Sequence, residues 1–146
     1  MKYVKVEETA IGFHLDASRY LYALGDLQEH LLPGAWLFAS DSDHYDFHSL
    51  RCVKDLNLQS ISQQENADLT LRFGPNTYKH EAGLTLTYRS ASSIDFQITG
   101  EGYFAGGIGI VMLDEVLPSD LGCTHEIELT NGRLYIESAD IHAQWE

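Results

Sequence analysis

The chain has 146 residues and a mass of 16.4 kDa, with 22 Asp plus Glu against 9 Lys plus Arg and a formal net charge of -13. That length fits a single domain, 1–146, and a chain that is 44% hydrophobic and 11% aromatic buries enough surface to exclude disorder. The charge excludes a nucleic-acid binder, because phosphates would be repelled and no Lys/Arg cluster exists to release counterions. The acidity is also uneven: residues 90–146 hold one basic residue, Arg133, and 10 acidic ones.

Short strands are expected at residues 3–6, by alternation, and 10–13, by apolar content. A helix over 17–31 follows, capped by Asp16, carrying Leu21, Leu24, Leu27 and Leu31 on one face and stopped by Pro33 and Gly34. From about residue 50 the period is two: residues 55–59, 69–73, 84–88 and 94–98 alternate apolar with polar, as half-buried antiparallel strands do. Residues 107–113 are apolar on both faces and read as a central strand, its glycines allowing close approach of a helix or another backbone. Asn131 and Gly132 suit a tight hairpin turn, a register that opposes Leu129 to Leu134, Ile127 to Ile136 and Glu126 to Glu137. The longest apolar-and-glycine run, 106–113, is far too short to span a bilayer, and a cytoplasmic location with reduced Cys52 and Cys123 is expected.

Candidate chemistry concentrates in two places. The stretch DSDHYDFH, Asp41 to His48, sets His44 and His48 four apart beside three aspartates, ligand types suited to zinc or iron, but no third or fourth ligand can be placed and a polar turn serves as well. Extending the hairpin puts Cys123, His125, Ser138 and Asp140 on one face, the ingredients of nucleophilic catalysis without a visible oxyanion site or pocket. Glycines at 100, 102, 106, 107 and 109 lack the Gly-Lys-Ser/Thr that a phosphate loop needs. No catalytic residue, metal or cofactor is assigned.

Residues 123–145, CTHEIELTNGRLYIESADIHAQW, and 47–61, FHSLRCVKDLNLQSI, together with the strand order, resemble small acidic bacterial proteins that include immunity proteins of polymorphic toxin systems. The resemblance implies a role in binding and blocking a partner. Independently, an acidic protein is steered quickly to a cationic one.

The expectation is therefore an α+β domain: a mainly antiparallel sheet of about seven to nine strands, curved or partly closed, with one covering helix. Its expected function is non-enzymatic binding of a cationic protein through Asp41, Asp43, Asp46, Glu126, Glu128 and Glu137. The alternatives are a small-ligand or metal-binding β-barrel protein, conceivably an enzyme, built on His44 and His48, and a structural homo-oligomer subunit.

Overall fold

Alternation in the first sixteen residues produces a two-stranded ribbon, β1 (Lys5–Thr9) with β2 (Gly12–Asp16), turning at Ala10 and Ile11. These strands lie further along the chain than the sequence pattern suggests. The structure, a computed structural model, describes residues 1–100 and 107–146. The Asp16 carboxylate accepts the Ser18 N–H at 2.9 Å where α1 (Ser18–Leu27) begins, and Tyr20 and Leu24 are its buried face.

The expected single helix is in fact two. A 3-10 turn, Gln28–His30, follows α1, the chain extends at Leu31 and Leu32, and Pro33 opens α2 (Pro33–Ala39). Proline suits a first helical position because its missing N–H would find no intrahelical acceptor there. A Cβ at Gly34 would collide with the Ile141 carbonyl, so only glycine lets α2 begin so close to the sheet. Gly25, by contrast, is exposed within α1 with open space around it. Gly25→Ala is expected to raise stability by about 0.5–1 kcal/mol through lower unfolded-state entropy, measured as a shift in urea midpoint at unchanged slope.

The remaining strands are β3 (Asn57–Gln63), β4 (Leu69–Gly74), β5 (Leu84–Arg89), β6 (Ser93–Ile98), β7 (Gly109–Ser119), β8 (Gly122–Leu129), β9 (Gly132–Ser138) and β10 (Asp140–Trp145). They form one eight-stranded antiparallel ladder, β10-β5-β4-β3-β7-β8-β9-β6, which does not close. Only Ala139 separates β9 from β10, near opposite ends of that order, so the sheet must curl for the chain to pass between them. Leu58, Leu71, Leu86, Leu113, Leu134 and Ile136 are among its fully buried residues. Among the described residues no helix is long and apolar enough to cross a membrane, and both cysteines are buried and free.

As its two apolar faces suggest, β7 is central, but it pairs with β3 only at Asn57↔Ile110 and Leu58↔Gly109. Beyond that the strands part and the segment from α1 to the turns after α2 fills the gap. Its phenols donate to backbone acceptors that no strand takes: Tyr45 to the Asp114 carbonyl at 2.9 Å and Tyr20 to the Val116 carbonyl at 2.6 Å. The glycines beside β7 admit side chains rather than a helix, since a Cβ at Gly107 would meet Asn57 and one at Gly109 would meet Asn131. Gly102 and Gly106 lie outside the described residues.

The final hairpin keeps its expected faces and changes its partners. Leu129 opposes Gly132, Ile127 opposes Leu134 and His125 opposes Ile136, with Thr130 and Asn131 in the turn. Asn131 donates instead to the Thr99 and Ile108 carbonyls at 3.0 and 2.8 Å, and a Cβ at Gly132 would collide with the Gln97 carbonyl of β6. A shift of two residues preserves the side-chain period, so the core face is unaffected. The expected Glu126–Glu137 opposition does not occur: Glu126 opposes Tyr135, Glu128 opposes Arg133, and Glu137 opposes Thr124.

Candidate functional site

Two carboxylates interrupt the apolar run of β7, and alternation sends them to opposite faces. Asp114 points into the core, where it is 1% exposed. His44 Nε2 lies 2.8 and 2.9 Å from its two oxygens, and His125 Nε2 lies 2.8 Å from Oδ2. His44 Nδ1 is 2.8 Å from the Phe38 carbonyl, so both ring nitrogens of His44 face acceptors and both must donate, which makes it an imidazolium. The Tyr88 hydroxyl lies 2.7 Å from His125 Nδ1 and donates to it in the charge-balanced arrangement. The result is a buried relay, Tyr88–His125–Asp114–His44, with one positive and one negative charge.

Burial alone would lower the His44 pKa, but the charge and hydrogen bond of Asp114 hold it above its ordinary value. Burial would likewise raise Asp114, yet His44 and the hydrogen bonds of both histidines keep it well below the usual carboxylate range. Tyr88 and Tyr45 are pushed well up, by burial first and by the Asp114 charge second. The Phe38 ring packs 4.4 Å from the His44 ring and Tyr45 stacks on it at 4.2 Å, so aromatic faces flank the imidazolium.

Beside Asp114 and His125 lies an internal cavity of about 10 Å³, walled by Phe38, Val53, Leu86 and Ile127. That is room for a single water, not for a substrate. The relay can hold and pass protons, and a second cavity of about 10 Å³ touches it at His44, lined also by Phe38, Asp41 and Trp145.

The second carboxylate, Glu115, points outward and is nevertheless buried. It accepts the backbone N–H groups of Lys2, Tyr3 and Val4 at 2.6, 2.6 and 2.7 Å. It stands opposite Glu126, whose Oε2 meets the terminal amine of Met1 at 3.0 Å. Glu115 and Glu126 thus stand as a like-charge pair, and the first four residues run across it, bonding one carboxylate with three N–H groups and the other with the Met1 amine.

The residues singled out from sequence are dispersed. His44 and His48 are not a pair: His44 is spent on the relay, His48 is exposed, and no metal-holding group of three side chains occurs among the described residues. Asp41 and Asp46 shape turns, accepting the Asp43 and His48 N–H groups at 2.9 and 3.0 Å, while the Asp43 carbonyl accepts the Asp46 N–H. Cys123 faces Ser138 at 3.8 Å, burial pushes its thiol up to about 11, and Asp140 is spent on the Gly34 and Ala35 N–H groups. No activated nucleophile results. His125 does have a carboxylate partner, but it is Asp114. Glu126, Glu128 and Glu137 do share the outer face of β8 and β9, where Tyr135 and Arg133 also lie, and β6 adds Asp95 and Gln97 to it. Arg133 reaches Glu126 at 3.5 Å, and Glu128 is raised, by burial first and then by Glu126.

Comparison with protein-family models, with curated proteins and with solved structures finds no match.

Proposed function

We propose that this chain is a non-enzymatic binding protein that blocks a basic protein, in the manner of an immunity protein, through the outer face of β8, β9 and β6. The observation that carries the reading is the grouping of Glu126, Glu128, Glu137 and Asp95 around Tyr135, against Arg133 and the Met1 amine as cations on that face. Four of the ten acidic residues of 90–146 then share one side of the sheet, where they would raise the encounter rate with a basic partner. Binding is favoured over small-ligand chemistry because the cavities beside Asp114 and beside His44 each have room for about one water. A homo-oligomer is the alternative, since Ile11 and Phe13 on the ribbon and Tyr22 on α1 are exposed apolar side chains that a second copy would cover.

The test uses immobilised protein against extract from the native source. Wild type should capture a basic protein whose association rate falls with salt, and Asp95→Lys/Glu137→Lys should weaken capture by about tenfold or more while changing stability by about 1 kcal/mol or less. Capture unaffected by the reversal, or of no cationic species at all, sinks the reading. Glu126 is left out of the variant because it also holds the Met1 amine.

A further inference from the structure

The terminal strand β10 has one sheet neighbour, β5. Glu146 and Gly83 exchange both backbone hydrogen bonds, at 2.8 and 2.9 Å. By the alternation of an antiparallel ladder, Gln144 and His142 also bond toward β5, while the backbone groups of Ala143 and Trp145 point to the other edge. The same parity explains why the Ile141 carbonyl abuts Gly34. Beyond Gly34 a groove of about 300 Å³ lies between Leu37, Phe38 and Asp41 on one side and His142, Ala143 and Trp145 on the other.

We infer that this groove receives one extended segment of the basic partner, added as a strand to the free edge of β10, with a Lys or Arg side chain placed between the Asp41 carboxylate and the Trp145 ring. This rests on the binding function proposed above and names where and how part of the partner docks. Three observations converge on that occupant. Ala143 and Trp145 present N–H and C=O groups with no strand partner among the described residues, the requirement for strand addition. The groove is open enough for a backbone and is walled by Leu37, Phe38 and Trp145, surfaces that take the alternate side chains of a strand. The carboxylate on its wall is Asp41, with His142 as the other ionisable side chain there, and Arg51 of the adjoining cavity is held by Glu81 at 2.6 Å. A carboxylate beside an indole selects a cation. An acidic segment would meet Asp41 and gain nothing from the ring.

The probe is a capped heptapeptide of alternating Lys and Thr, compared with its Glu/Thr counterpart and with the Lys peptide N-methylated at alternate residues. On the full chain, the Lys peptide should slow amide exchange of Ala143 and Trp145 by about tenfold or more at saturation. Asp41→Asn should weaken it about fivefold, and N-methylation about tenfold. Ala143→Pro, which deletes an N–H on the free edge and spares the ladder to β5, should also abolish protection at Trp145. Lys-peptide binding that perturbs only β8, β9 and β6 would overturn the groove and leave the acidic-face reading standing. Equal binding of the Glu peptide would overturn both. Full binding of the N-methylated peptide, or by Asp41→Asn, would overturn strand addition or cation selection respectively.

Discussion

Asp114→Ala is expected to lower stability by about 3–5 kcal/mol, the cost of leaving one partner of a buried ion pair uncompensated. Two histidines lose their acceptor at once, and the His44 imidazolium stays enclosed by Phe38 and Tyr45. His44→Ala alone leaves the Asp114 carboxylate buried with His125 as its remaining side-chain donor. The double variant removes both charges, so its loss should fall short of the sum of the single losses by about 1–3 kcal/mol. Urea denaturation of the four proteins measures this coupling, and additive losses would show that the two groups do not act as a pair.

The same pair sets a pH window. His44 titrates above its ordinary 6.5 in the folded state, so its contribution is complete below about 6.5 and disappears as pH rises through the folded value. Asp114 titrates below its ordinary 3.8, so its contribution is complete above about 4 and disappears as pH falls toward the folded value. Wild type should therefore exceed Asp114→Ala by most between about pH 4 and 6.5. The variant should gain stability as pH rises through about 6.5, because an unpaired buried imidazole prefers to be neutral. A constant difference from pH 4 to 9 would contradict the assignment of His44 as an imidazolium.

None of this pairing is visible in the spacing of the histidines. His44 and His48 were candidates as a pair because they are four apart, but they fall in a run of turns, which carries no helical face. Their distant partners, Asp114 in β7 and Phe38 in α2, depend on tertiary contact. A usable signal did exist: Asp114 and Glu115 sit inside VMLDEVL, a run otherwise apolar on both faces, and carboxylates in a central strand must be paired. Strands β4 and β5 were legible because each alternates between a packed and a wetter face, and β6 because its sequence alternates although Ile94 is exposed. The break between α1 and α2 was not, since a Pro-Gly step ends one helix as readily as Pro opens the next. Register of the last hairpin was decided by Asn131 and Gly132 contacting Ile108 and Gln97, residues far from the turn in sequence.

Glu115→Ala should cost about 2–4 kcal/mol, through loss of three hydrogen bonds to one charged acceptor. The effect is expected to be concentrated at the N-terminus. Lys2, Tyr3 and buried Val4 lose their common acceptor. The ribbon of β1 and β2 is largely exposed, with Ile11 at its turn fully so, and a two-stranded ribbon is marginal by itself. Amide exchange of residues 2–16 should therefore accelerate by more than that of β8 and β9, whereas uniform acceleration would mean that the segment unfolds only with the whole domain. Glu115→Gln separates charge from shape. Its single acceptor oxygen can serve part of the set, and its amide places N–H against N–H, so it should recover only a minority of the loss. Release of this segment would also withdraw the Met1 amine from Glu126, leaving Arg133 as the cation beside that carboxylate on the outer face of β8. The N-terminal segment thus sets how negative that face is, and Glu115→Ala should raise the association rate of a basic partner even as it lowers stability.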